Sequence, residues 1–541
     1  MPTAKPRKPA DAFAALLSWI DGLGQTGLDG HDLREIGLKS GNLTVDDERT
    51  GKRWTFENIS LSLERPSGGG VVVSLGSDNR ERPWALTASI VPTGNGKRSI
   101  ELEGSKVSAN DLLLALRLGD GNLQANLPLS VSVRGEIGPD GVPQELTGRI
   151  VAEGGTISDA SDPSGDIPVE HAEFKLNWDA ANRILSMPFQ ILSAGNRITL
   201  LGQVEAPRET GGVWAFGISG GTVLLAPAVK GDRNPLILNR VAVRGRFDPL
   251  KKRFDIDQGD IGNMDLGVAL SGNIDFSGDD PRVAAGIAGT RMSVAALKRL
   301  WPVVVAPKVR TWVTEHLVSG TVERMVIAVN APFNTLKESG PPVPDDGLSL
   351  EALTTGTVIR PVEGLPAIRD ADLNVHIVGR NATVMLGKGT ADLPSGRKLT
   401  MSNGLFEVPD TAPHEPPARV RFKLDGPVQA AAELLATDRL RDASGAPFDP
   451  ASTKGTMTAQ VALAMPLKPD LPPGSTNYTI TVDATNFAAD HRVMGQKVEA
   501  ATLRVTANNQ GFQLKGDVKI GGTPASLEYR KPHGDGDAEV R

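Results

Sequence analysis

Along most of this chain apolar and polar residues alternate one for one. The alternation is clear in Ile59, Leu61, Leu63; in Trp84, Leu86, Ala88, Ile90; in Leu185, Met187, Phe189, Ile191; and in Tyr478, Ile480, Val482. It recurs in Phe174-Leu176-Trp178, Trp214-Phe216-Ile218, Leu373-Val375-Ile377 and Val420-Phe422-Leu424. A period of two predicts strands with one oily and one wet face, and Gly, Asn and Asp turns every 8–12 residues or so separate them.

Four stretches break the period. Phe13, Leu16, Leu17 and Ile20 predict an amphipathic helix over 11–23, closed by Gly22 and Gly24. Leu112, Leu113, Leu114 and Leu116 predict a helix over 108–117, and Pro427 opens one over 427–442. The fourth is a helix pair within 291–320. Ser293 caps a helix through Leu300, Pro302 stops it, Pro307 opens the second helix and Gly320 closes it. A strand follows at Val322–Val329. The expected organisation is residues 1–290 as one run of sheet, 291–320 as a lid or brace, and 321–541 as a second run.

No strand–helix–strand rhythm is present, so the sheet is expected to be antiparallel. Roughly 25 to 30 strands exceed what one ordinary twisted open sheet holds. Such a sheet closes, divides into sandwiches, or curls into a trough roughly 100 Å long at about 4.8 Å per strand. The trough would be an elongated hydrophobic groove with short helices at its edges or ends. From the alternation, its lining is expected to include Val131, Val133, Leu176, Met187, Phe189, Val241, Val243, Val268 and Leu270. In the second run it would include Ile327, Val375, Phe422, Val461, Ile480 and Leu514. The alternative is a set of closed sandwiches with dry cores, acting as a scaffold that binds protein partners.

Composition narrows the chemistry. Among 541 residues there are 60 Gly and 39 Pro spread along the chain, which fits many short turns rather than a disordered tail. Net charge is −6 with the signs interspersed, so no basic footprint for nucleic acid is present. The absence of cysteine excludes a disulfide framework and Cys-based metal sites. Catalytic signals are weak. Gly217-Ile218-Ser219-Gly220-Gly221 has nucleophile-elbow spacing, but Thr222-Val223-Leu224-Leu225 continues as strand where an elbow needs a helix. Asp255-Ile256-Asp257-Gln258-Gly259-Asp260 has part of a calcium-loop pattern without its terminal Glu, and reads as a hairpin turn. The seven His residues show no ligand spacing. No enzyme activity, metal or cofactor is expected.

The helix end Leu300-Trp301-Pro302, the second helix with Arg310 and Trp312, and the closing Gly320-Thr321-Val322 resemble the central region of the AsmA-like family, in its YhdP branch. Gly41-Asn42-Leu43-Thr44-Val45-Asp46-Asp47 followed by Trp54-Thr55-Phe56-Glu57-Asn58-Ile59 is similar to that family's recurring hairpin. The resemblance implies a bridge-like lipid-transfer protein of the Gram-negative envelope. It implies a periplasmic β-groove carrying phospholipid acyl chains toward the outer membrane, an inner-membrane anchor, and a possible outer-membrane or envelope protein partner. The anchor helix of that pattern is not seen here and the strand pattern stops unfinished, so the chain is expected to be a segment of a longer protein or a truncated gene product.

Overall fold

The computed structural model describes residues 35–47, 52–77, 83–110, 123–139, 142–159, 162–209, 211–227, 234–301, 306–337, 340–438, 440, 449–468, 471–472, 474–493, 496–533 and 537–541. The helix expected over 11–23, and all but the first residues of that expected over 108–117, lie outside the described residues. Among the described residues the protein is mainly β, with 30 strands in one antiparallel sheet that does not close into a barrel, and three short α-helices. The expected alternative of separate closed sandwiches is therefore not the fold adopted.

The chain divides into two compact units. The first comprises residues 1–227, 231–263 and 271–279, and the second 228–230, 264–270 and 280–541. The helix pair belongs to the second. Strand β16 (Gly267–Asp275) contributes residues to both.

In the first unit a meander runs from β1 (Glu35–Asp47) and β2 (Lys52–Glu64) through β3 (Val71–Ser77), β4 (Trp84–Gly94) and β5 (Lys97–Ser108). β5 pairs with β7 (Pro128–Ile137), while the short β6 (Leu123–Asn126) pairs alongside it on β8 (Pro143–Asp159). The ladder continues through β9 (Asp162–Asp179), β10 (Ile184–Ser193), β11 (Asn196–Glu205) and β12 (Trp214–Leu225). β12 then pairs with both β13 (Leu236–Leu238) and β14 (Arg240–Asp248), and β14 with β15 (Arg253–Gly262).

In the second unit β17 (Arg282–Gly289) and β18 (Met292–Ser293) both pair with β19 (Leu317–Pro332). Between β18 and β19 lie α1 (Val294–Leu300) and α2 (Pro307–His316). Ser293 caps α1, its side chain accepting from the Ala296 N–H at 3.1 Å. The second helix does not extend to Gly320. It ends at His316, and Gly320 stands inside β19 with φ 139°. A Cβ there would come within 2.8 Å of the Thr357 Cα on β20 (Leu348–Ile359), so close backbone approach rather than helix closure requires the glycine.

From β20 a regular meander continues: β21 (Ile368–Val378), β22 (Asn381–Asp392), β23 (Lys398–Val408) and β24 (Pro417–Pro427). It goes on through β25 (Thr453–Pro466), β26 (Asn477–Val493), β27 (Gln496–Asn508), β28 (Gly511–Ile520), β29 (Thr523–Pro532) and β30 (Glu539–Val540). Between β24 and β25, α3 (Val428–Leu435) covers the first part of the helix expected over 427–442; the chain turns at Ala436–Thr437, Asp438 and Leu440 are helical again, and residues 439 and 441–442 lie outside the described residues. Thr437 helps end it, donating from both its N–H and its hydroxyl to the Leu434 carbonyl. The helix pair leads into β19 and α3 into β25, strands that run in the same direction, so both insertions sit at the same end of the ladder.

Bulges interrupt many strands. Their left-handed residues are Ser40 in β1, Asn58 in β2 and Lys106 in β5, then Asp370 in β21, Asn403 in β23 and Asn486 in β26, with φ between 50° and 56°. Asn and Asp tolerate this region better than other side chains. Each bulge lies beside a register shift and adds a residue, so the alternation resumes on the same face.

Candidate apolar binding face

The register collects the apolar halves of the strands onto one face in each unit. In the first unit one cross-strand row reads Leu61, Leu75, Leu86, Gly104, Val131, Ile150, Phe174, Phe189, Leu200. The next reads Leu63, Val73, Ala88, Leu102, Val133, Gly148, Leu176. Phe174 and Phe189 stack with centroids 5.5 Å apart, and Phe216 and Phe254 stack at 4.5 Å. The second pair needs Gly245, where a Cβ would meet the Phe216 Cζ and the Asp255 carbonyl oxygen, each at 2.2 Å.

In the second unit one row reads Ile287, Ile327, Leu350, Ile377, Ala382, Val408. A second reads Ala352, Val375, Val384, Phe406, Val420, Leu463, Tyr478. A third reads Phe422, Val461, Ile480, Ala507, Phe512, and a fourth Leu424, Ala459, Val482, Val505, Leu514, Tyr529. Five strands at about 4.8 Å make the third row about 19 Å long.

Of the residues named as expected lining, those on strands other than β16 stand on these faces. Val131, Val133, Leu176 and Phe189 stand in the first-unit rows. Met187 pairs with Gly202, Val241 with Ile261 and Val243 with Ile218 on the same side. Ile327, Val375, Phe422, Val461, Ile480 and Leu514 all share the second-unit face. Val268 and Leu270 take alternate, half-buried positions of β16.

The opposite face is polar and internally neutralised. Arg134 bonds Glu101 at 2.7 Å and Glu103 at 3.3 Å, and Arg149 bonds Glu173 at 2.8 Å. Arg504 holds Asp483 through two contacts of 2.6 and 3.1 Å, and Lys515 and Gln513 both reach Glu528. Hydrogen bonds from these cationic partners hold the Glu173 and Asp483 carboxyls below their ordinary range. A cleft bordered by Asp425, Thr456, Thr458, Asp483 and Thr485 is satisfied internally, with Thr458 donating to Asp425 and Thr456 bonded to Thr485.

Burial distinguishes two zones of the second unit's apolar face. Near the helix-bearing end it is dry: Leu393, Leu399, Ala430, Met457, Ala459, Ala484, Phe487 and Val498 form one buried cluster under α3. Glu433 docks that helix, accepting from the Ser395 N–H at 2.8 Å, the Ser395 hydroxyl, and Arg397 at 3.2 Å. Away from that end the same face is half-buried at Val375, Val384, Phe406, Phe422, Val461, Ile480 and Leu514. Among the described residues the main element contacts are between ladder neighbours, and between the short helices and β18–β19 or β23–β25.

The chemical motifs resolve into sheet. Ser219 lies within β12, opposite Leu201 and Ala242, and Gly220 and Gly221 form its bulge with φ 67° and 75°. A Cβ on Gly221 would meet the Thr199 carbonyl at 2.0 Å. Asp255, Asp257 and Asp260 stand along β15 rather than in a turn, ion-paired with Arg253, Arg246 and Arg240. Among the described residues no group of three or more His, Asp or Glu could hold a metal, and no helix is long and apolar enough to cross a membrane.

The helix pair is held by Lys298. This buried ammonium on α1 donates to the Thr314 carbonyl at 2.9 Å and to the Leu317 carbonyl, bridging α2 and the start of β19. Arg310 Nε donates to the Trp301 carbonyl at 3.0 Å. Lys298 was not among the residues singled out from sequence; a lone lysine in a helix reads as surface, and only its burial reveals the role.

These features define an antiparallel sheet that does not close into a barrel, with an apolar face of half-buried residues in each unit. Compared with models of known protein families, with curated proteins and with solved structures, the chain matches none.

Proposed function

We propose that the apolar face holds lipid acyl chains, and that the chain is a lipid-transfer segment of the kind the AsmA-like resemblance implies. The observation that carries this reading is the half-buried aliphatic face that runs from strand to strand through the paired rows of each unit. An acyl chain laid there withdraws CH₂ groups from water at about 0.8 kcal/mol each, and covers side chains that otherwise face solvent. Rows of Val, Ile, Leu and Ala have no polar group to anchor one position, so a chain slides at low cost. The head group would remain at the polar rim. Phospholipid as cargo, the envelope location with its inner-membrane anchor and outer-membrane or envelope protein partner, and the absence of a chemical step are parts of the same proposal.

The test is native mass spectrometry of gently purified protein, with extraction and identification of any bound lipid. Lipid-bearing species are expected, and they are expected to diminish in Val243→Asp and Leu270→Asp variants. A lipid-free protein that also fails to take up a fluorescent fatty acid would exclude the reading, and would favour a scaffold whose exposed face binds protein.

A further inference from the structure

Three apolar rows of the second unit run to one polar corner, at the end of the strands away from the helices. The third row passes Phe422, Val461, Ile480, Ala507 and Phe512, and Phe512 then pairs with Lys531 on β29. The fourth row reaches Tyr529, two residues before Lys531 and on the same face of that strand. The second row reaches Tyr478. Beyond the Asn509–Gln510 turn His533 stands in line with it, its N–H donating to the Gln510 carbonyl at 3.0 Å. Tyr478 Oη and His533 Nε2 are 2.6 Å apart, and their rings meet edge-on at 6.3 Å. Phe512 packs against Tyr529 with centroids 5.6 Å apart. The chain has 2 tyrosines, so this corner holds both.

The charge here is unlike that of the polar face, where Lys423, Arg504 and Lys515 each hold a carboxylate. Lys531 is half-buried on the apolar face and makes no ion pair with any described residue. On β30, Val540 stands opposite Tyr529, while Glu539 is opposite Arg530 on the other face. The Tyr529 hydroxyl has no hydrogen-bond partner among the described residues. With Tyr478 donating to Nε2, a neutral His533 carries its proton on Nδ1, a donor that also has no partner among the described residues. A cation and two donors at the end of an aliphatic row, with no carboxylate bonded to them, complement an anion carried on an acyl chain.

We infer that this corner seats the phosphate of a phospholipid whose acyl chain lies along the row from Phe512 toward Phe422. Lys531 supplies the charge, and the Tyr529 hydroxyl and His533 Nδ1–H donate to phosphate oxygens. Phe512 opens the apolar path directly beside Lys531, so adjacent strands recognise tail and head. Along the rows a chain slides; at this corner its head group is held. The inference rests on the acyl-chain reading above, and adds to it a head-group position and a preference for an anionic phosphate.

The experiment uses the full chain and a bound pyrene-labelled diacylglycerol, displaced by dioctanoyl phosphatidic acid or by dioctanoylglycerol, which has the same chains and no phosphate. Phosphatidic acid is expected to bind about tenfold tighter. Lys531→Gln is expected to remove that difference with the dioctanoylglycerol affinity unchanged, and Lys531→Arg to keep most of it. Equal affinities in wild type, or a preference that persists in Lys531→Gln, would overturn the head-group seat and leave acyl-chain binding standing. Failure of wild type to bind the labelled diacylglycerol would remove the acyl-chain reading itself, and this inference with it. Inorganic phosphate, titrated by phosphorus nuclear magnetic resonance, is expected to bind far more weakly than phosphatidic acid. Lys531-dependent binding as tight as that of phosphatidic acid would make free phosphate the occupant and overturn the lipid. Should Lys531→Gln lower the melting temperature, Tyr529→Phe removes only a hydroxyl and is expected to weaken phosphatidic acid about threefold; an unchanged affinity there would also overturn the seat.

Discussion

Val461 and Gln460 are adjacent in β25 and point to opposite faces, so they isolate the apolar face from the fold. Val461 stands between Phe422 and Ile480, all three half-buried. Gln460 is exposed on the other face, opposite Lys423 and Thr481. In Val461→Asp the carboxylate keeps part of its hydration, and the protein loses one cross-strand apolar contact on each side, at roughly 0.2–1 kcal/mol apiece. A destabilisation of about 1–2 kcal/mol is expected, with the sheet still formed. An acyl chain crossing that position would strip water from an unpaired carboxylate, which costs several kcal/mol and outweighs the few CH₂ groups it covers. Fatty-acid affinity measured by fluorescence displacement should therefore fall at least tenfold if a single chain must pass Val461. In Gln460→Asp the new carboxylate faces Lys423, and both stability and affinity should stay near wild type. Equal affinities for the two variants and wild type, with both folded by circular dichroism, would refute acyl binding along this row.

Further predictions concern the supports of the face. Gly245→Val should destabilise by about 1–3 kcal/mol, because the new side chain collides with the Phe216 ring and the Asp255 carbonyl; chemical denaturation measures this. Asn403→Val should cost about 1–2 kcal/mol by forcing a β-branched residue to φ 52°, whereas Asn403→Gly should be nearly neutral. Lys298→Met should speed amide hydrogen exchange in α1 and α2 while leaving β25–β27 unchanged. Burial lowers the Lys298 pKa, so the unfolded chain binds more protons; this group's contribution should make stability rise with pH between its depressed folded value and the ordinary lysine value. Burial raises the Glu433 pKa, but its bonds to Ser395 and Arg397 outweigh that and leave it lowered overall. Its contribution is present above the ordinary glutamate value and is lost as pH falls through the folded value, a loss that Glu433→Gln should abolish in acid titrations of stability.

The periodicities of Leu185–Ile191 and Tyr478–Val482 were enough to place strands and their apolar sides, since in a sheet side-chain direction depends only on parity. Ser293 was legible as a cap for the same local reason. Gly320 was misassigned because a glycine after a helix serves equally as a cap or as room for a neighbouring strand, and Thr357, which decides it, is distant in sequence. The Asp255–Asp260 run resembled a turn because its arginine partners include Arg240 and Arg246 on another strand. Lys298 gave no signal at all, since its acceptors are backbone carbonyls.

What the chain determined locally was an alternating pattern without cysteine or βαβ rhythm, and therefore antiparallel strands with two unlike faces. Tertiary structure alone decided that these strands form one open sheet, because pairing partners are chosen by hydrogen bonds between residues far apart. It also decided which part of the apolar face is dry. Met457 and Val461 are both apolar residues of β25, yet one is buried in the cluster under α3 and the other stands half-exposed beyond it. No periodicity distinguishes them, because burial depends on what the rest of the fold lays on top.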